Sequence, residues 1–181
     1  MAGYIGNYPT AVPLSGADLT DGIITPAKLS TTLDLSSKTI TLPAGVGGKV
    51  LQAVTATDST NRSTTSNTFV TAGNTLSVTI TPSSTSNNIL VIANTALRSP
   101  QNFDVYTSIF RNGTQLGSSN GFLYSSNPTS TNNKSVSMHV LDNPSSTSAL
   151  TYQVYFKTGG DTAQLNYYVV KGVITAFEIA G

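Results

Sequence analysis

A chain of 181 residues has room for one domain and a tail, and the part beyond residue 36 suffices to bury a core. Only 9% of the residues are charged and the net charge is +1, which argues against nucleic acid or an anionic membrane surface as a partner. The absence of cysteine excludes disulfides, thiol nucleophiles and thiolate metal sites, and no apolar run approaches the roughly 18 residues that membrane insertion needs. No basic segment followed by an apolar stretch opens the sequence, so a secretory signal is not expected. Ser, Thr and Asn make up roughly a third of the chain, so its solubility rests on hydroxyls and amides.

Residues 1–36 read as an extended N-terminal anchoring arm with at most one-turn helices. Ser15 suits an N-cap with Asp18 in the first turn and Gly22 as a stop, and Thr25-Pro26 repeats the pattern for Ala27 to Ser30. Turns this short are unstable alone and need a host surface. Leu14, Leu19, Ile24 and Leu29 recur every five positions, a period of neither helix nor strand, so each calls for its own pocket. With Tyr4, Ile5, Tyr8 and Ile23 they form the expected anchoring set.

Residues 37–181 read as a β-sandwich domain. The short run Thr39 to Leu42 and the longer Val50 to Thr57 are expected strands, separated by Gly47-Gly48. Asp58 to Asn67 is polar and expected to be a loop, followed by a strand from Thr68 to Thr71. Thr75 to Thr81 alternates, with Leu76, Val78 and Ile80 on one face, and ends at Pro82. Ile89 to Leu97 is apolar over most of its length, which predicts a strand covered on both sides. Phe103 to Arg111 runs into Asn112-Gly113, a hairpin turn, and Thr114 to Leu116 returns. A polar loop from Asn127 to Asn133 precedes a strand at Val136 to Leu141. Leu150 to Lys157 sets Tyr152, Val154 and Phe156 against Gln153, Tyr155 and Lys157. Ala163 to Tyr167 and Gly172 to Ile179 complete the series. This many strands with little helix predict an all-β, antiparallel, jelly-roll-like sandwich.

Catalytic patterns are sparse. His139 is the only histidine and Glu178 the only glutamate, the acidic residues are scattered, and no G-x-S-x-G elbow occurs. Glu178, between Phe177 and Ile179, is expected to pair with a Lys or Arg or to face solvent. No enzymatic activity, cofactor or metal is expected. A binding surface is better supported, because aromatic rings among Asn- and Ser-rich loops suit a sugar or a subunit interface. Phe122, Tyr124 and Asn127, flanked by Gly121, Ser125 and Ser126, are the expected loop contacts for a ligand or receptor.

Two stretches carry a resemblance to a known class. Gly16-Ala17-Asp18-Leu19-Thr20-Asp21-Gly22-Ile23-Ile24-Thr25-Pro26-Ala27-Lys28-Leu29-Ser30 resembles a segment that recurs in tail-fibre proteins of tailed bacteriophages, marine phages especially. Gly48 to Val54, Leu76 to Asn87, Phe110-Arg111-Asn112-Gly113-Thr114 and Thr175 to Ile179 resemble a β module of the same proteins. The resemblance implies a structural protein on the virion exterior, on tail or head, that forms a homotrimer; the residue pattern adds an arm that docks on tail or capsid proteins and a β domain whose surface suits contact with a host surface glycan. It carries over no catalytic residue. No long collagen-like or coiled-coil shaft separates arm from domain, so capsid decoration stays open beside a short tail fibre. A free carbohydrate-binding module is the alternative from a different class.

Overall fold

The computed structural model describes residues 49–126 and 129–181. The expected arm and the Thr39 to Leu42 strand lie outside the described residues. Among the described residues, eleven strands form the domain: β1 Val50–Asp58, β2 Arg62–Thr64, β3 Ser77–Ile80, β4 Asn88–Ser99, β5 Val105–Arg111, β6 Thr114–Gln115, β7 Leu123–Ser125, β8 Asn132–Asp142, β9 Leu150–Thr158, β10 Ala163–Leu165 and β11 Gly172–Ile179.

One sheet runs β1-β11-β4 with β8 on the other side of β4, and β2 and β10 extend its far end. The second runs β3-β9-β5, with β6 and β7 both against β5. All pairings are antiparallel. The long pairs are nested: β1 with β11, β3 with β9, β4 with β8, and β5 with β7 innermost. That is the order of one long hairpin rolled so that successive pairs fall alternately in the two sheets, which is a jelly roll.

Alternation decides which side chains meet between the sheets. Leu76, Val78, Ile80, Ile89, Val91, Leu97, Ile109, Tyr152, Val154, Phe156, Leu165 and Ile174 all point inward and are buried. Full burial of such a side chain contributes about 1.5–3 kcal/mol, so this shared layer dominates the stability of the domain. The inward sets expected for β3 and β9 are those observed.

Four local expectations change. The polar stretch 58–67 contains β2, which Arg62 and Ser63 form against Leu165 and Gln164. Thr68 to Thr71 contributes only the bridge between Val70 and Phe156. The loop expected around Phe122 and Tyr124 holds β7, because Tyr106 pairs with Tyr124 and fixes the register. β4 is covered by the domain on one side only: Ile89, Val91, Ala93, Thr95 and Leu97 are buried, whereas Leu90, Ile92 and Ala96 are half-exposed.

Three polar clusters tie the layers. Glu178 is 1% exposed and, among the described residues, has no ion-pair partner, so it is neither paired nor facing solvent as expected from sequence. Its carboxylate accepts hydrogen bonds from the Gln52 amide (2.6 Å), the Ser83 backbone and hydroxyl (2.6 and 2.8 Å) and the Asn87 amide (2.6 Å). These donors come from β1 and from the turn joining β3 to β4, so one carboxylate fastens both sheets at one end. Burial alone would raise its pKa, but the donors from Gln52, Asn87 and Ser83 outweigh burial and lower it to about 2. At the other end of β1, the buried Asp58 accepts from the Thr60 and Thr75 amides and pairs with Arg62. Across the sandwich, Arg111 donates to both oxygens of Asp142, and the Tyr152 hydroxyl donates to the same carboxylate at 2.6 Å. Burial and that hydrogen bond raise the Tyr152 pKa, so the phenol stays protonated and keeps donating.

A folded-state pKa of about 2 against an ordinary 4.5 gives Glu178 a stabilising contribution present above pH 4.5 and lost as pH falls toward 2. Glu178→Gln replaces an acceptor by an amide facing donors. It is expected to cost about 1.5–3 kcal/mol near neutral pH and to flatten the acid slope. Urea unfolding across this pH range checks both, and an unchanged slope would contradict the role given to Glu178.

Candidate functional site

Two outer sheet faces stand out, and they differ in chemistry. On the first sheet, register places Ala53, Phe177, Leu90 and Leu141 in one row across all four long strands. The next row is Thr55, Thr175, Ile92 and His139, and the third is Thr57, Val173, Asn94 and Ser137. Val50 and Leu51 enter beside the first row at an irregularity of register between Val50 and Gln52. Leu141 is 61% exposed, Val50 55% and Leu51 49%, while Leu90, Ile92 and Phe177 are half-exposed. The first row carries no charge. Toward the opposite end, Arg98 lies over the Tyr167 ring, and the tip Tyr168, Val169 and Val170 is exposed.

On the second sheet the outer face is aromatic. Phe110 of β5 stacks on Tyr155 of β9 with ring centroids 4.0 Å apart, and Phe69 leans on Phe110 at 5.5 Å. Tyr106 and Tyr124, cross-strand partners on β5 and β7, lie 6.1 Å apart. The Lys157 ammonium joins the two groups, 4.7 Å from the Phe69 ring and 5.1 Å from the Tyr106 ring, and donates to the Ser119 carbonyl. The Tyr106 hydroxyl donates to Asp104 at 3.1 Å, and this bond, burial and the carboxylate's charge raise the Tyr106 pKa. Tyr124 is 67% exposed.

The segment between β6 and β7 shapes this face. Gly117 and Gly121 press against β5 and cover Ser108 completely. Gly121 has φ +82°, and a Cβ there would collide with the Thr107 carbonyl oxygen and stand 3.1 Å from the Phe69 ring. Only glycine meets both demands.

The structure places the sequence-predicted contacts differently from one another. Tyr124 faces outward within the aromatic group, and Phe122 is half-buried against the core. Asn127 lies outside the described residues, as do Tyr4, Ile5, Tyr8, Leu14, Leu19, Ile23, Ile24 and Leu29. Phe69, Lys157 and Asp104 were not singled out as contacts; the outward set of β9 was legible, but the register bringing Tyr106 beside Lys157 was not. His139 is exposed on β8, and among the described residues no group of three His, Asp or Glu side chains could hold a metal.

No protein-family model matches the chain. No curated protein matches it either. Among solved structures, a variant VP2 protein of infectious bursal disease virus in T=1 particles aligns with TM-score 0.37 and 14% identity, over 79% of this chain and 41% of VP2. The VP2 subviral particle of the same virus aligns with TM-score 0.37 and 12% identity, over 80% and 42%. The chain thus spans about two fifths of the length of these VP2 chains.

Gly121→Ala is expected to destabilise the domain by about 1–3 kcal/mol and to displace Tyr124. Chemical denaturation reads the first, and increased acrylamide quenching of tyrosine fluorescence reads the second. A variant with wild-type stability would remove the close approach of Gly121 to β5 from the account.

Proposed function

We propose that the protein is a non-enzymatic structural component of the virion exterior, of tail-fibre type. Residues 1–36 dock on another virion protein, and the β domain self-associates as a homotrimer through the outer face of the β1-β11-β4-β8 sheet. The observation that carries this reading is β4. Its run Ile89-Leu90-Val91-Ile92-Ala93 is apolar on both sides, and the domain covers one. The row Ala53, Phe177, Leu90 and Leu141 continues that uncovered side across the sheet without a charge. Contiguous apolar surface of this kind marks an interaction site, and a threefold contact would bury it in three copies at once. The resemblance of the arm and the β module to phage tail-fibre proteins supports the virion setting. Capsid decoration uses the same two parts and differs only in the docking partner.

Light scattering of the full-length chain behind a sizing column is expected to give three times 18.8 kDa. Leu141→Lys places a charge in the exposed row without touching the core, and is expected to shift the species to monomer with an unchanged circular dichroism spectrum. A wild-type monomer at high micromolar concentration would contradict the self-association. For the arm, antibody against the β domain should label purified particles, and deleting residues 1–36 should abolish that labelling. Normal labelling after the deletion would contradict the docking role.

A further inference from the structure

The aromatic face is separate from the proposed contact between copies, since it lies on the opposite sheet. We propose that Tyr124 and Tyr106, with Lys157 and Asp104, form a binding platform for a neutral pyranose glycan. Three features of the patch point to that class. First, Tyr124 presents a ring that is 67% exposed, on a strand whose register is set by its pairing with β5. A pyranose has an apolar C–H face that packs on such a ring, and tyrosine offers the ring with a hydroxyl at its edge.

Second, the ring is not alone. Tyr106 lies 6.1 Å away with an interplanar angle of 31°, so the two rings form a shallow, gently angled base. Phe69 and the stacked Phe110 and Tyr155 extend that base on the far side of Lys157. A core would bury these rings between the sheets. Here register puts Tyr106, Phe110 and Tyr155 on the outer side of the sheet, where Phe110 is 9% exposed and Tyr106, Tyr155 and the neighbouring Phe69 are half-exposed.

Third, the rim supplies both kinds of hydrogen-bonding group a sugar hydroxyl uses. Asp104 is an acceptor already oriented by the Tyr106 hydroxyl, and Lys157 is a donor held in place by two rings and the Ser119 carbonyl. One charge of each sign sits on the same patch, so it favours neither an anion nor a cation. Rim groups oriented by these contacts lower the ordering penalty that binding must overcome. The site therefore fits a hydroxyl-rich, uncharged ligand with a flat apolar face.

The test uses the full-length chain on a surface of immobilised neutral oligosaccharides built from hexoses, N-acetylhexosamines and 6-deoxyhexoses. Wild-type protein is expected to be retained by at least one probe. Tyr124→Ala, which removes an exposed ring and leaves the core intact, should weaken retention at least tenfold. Lys157→Met should weaken it while preserving the aliphatic stem, and Thr147→Ala in the exposed loop between β8 and β9 should leave it unchanged. The proposal is overturned if no neutral probe retains the protein, or if Tyr124→Ala binds like wild type. It is equally overturned if Tyr124→Ala lowers the light-scattering mass, because the face is then a contact between copies. Loss of retention with the trimer mass intact separates failure of this site from failure of self-association.

Discussion

The two-sided character of β4 is the constraint on which the rest of the structure depends. β4 pairs with β8 along eleven consecutive residues from Ile89 to Ser99, and with β11 and β10 on its other edge. Its inward residues, Ile89, Val91, Ala93 and Leu97, close the core against Tyr152, Val154 and Phe156. Its outward residues, Leu90 and Ile92, set the chemistry of the exposed sheet face. A strand that only had to close the sandwich would alternate apolar with polar residues. Past Ala93 its outward side becomes polar at Asn94 and Arg98, with only Ala96 between them. The apolar end of the face is thus written into the same strand that specifies the fold.

With so few charges and no cysteine, closure of the roll relies on hydrogen-bonded buried polar groups, although among the described residues the buried Thr107, Ser108 and Ser125 hydroxyls have no partner. Glu178 illustrates the logic. A lone buried carboxylate would be expensive, but four donors from two segments make it a clasp. Asn74 and Asn166 act similarly: Asn74 reaches the Thr71 and Val154 carbonyls, and Asn166 joins Thr95 to the Thr60 carbonyl. The charged groups that remain are concentrated where strands from both sheets end, as at Arg111 and Asp142. Among the described residues, the two outer faces carry no structural ion pair. Their chemistry can then diverge, one toward apolar contact and the other toward ring stacking.

The long strands were legible because their alternation is strong. Tyr152, Val154 and Phe156 announce the inner face of β9, and Asn112-Gly113 announces the β5-β6 turn, where Asn112 takes φ +48° and Gly113 φ +80°. The short strands were hidden. β2 and β7 owe their existence to partners far along the chain, and Arg62-Ser63-Thr64 has no local apolar signal at all. Glu178 was misread for a related reason, since its partners Gln52, Ser83 and Asn87 are neutral and more than ninety residues away. Of the aromatic face, Tyr124 was visible as a ring among small residues. Its neighbours Tyr106 and Lys157 became part of the same surface only through sheet register, which single-strand patterning does not encode.

The central claim is that copies of this domain cover the outer face of the β1-β11-β4-β8 sheet. Because the chain has no native cysteine, one introduced thiol reports on one place. Ala53→Cys lies in the apolar row, and Thr79→Cys lies exposed on the opposite sheet. Maleimide labelling of each full-length variant, measured over a range of protein concentrations, compares the two faces directly. The account predicts that labelling at residue 53 slows at least tenfold as concentration rises, while residue 79 reacts at a constant rate. Equal and concentration-independent rates at both positions would contradict it.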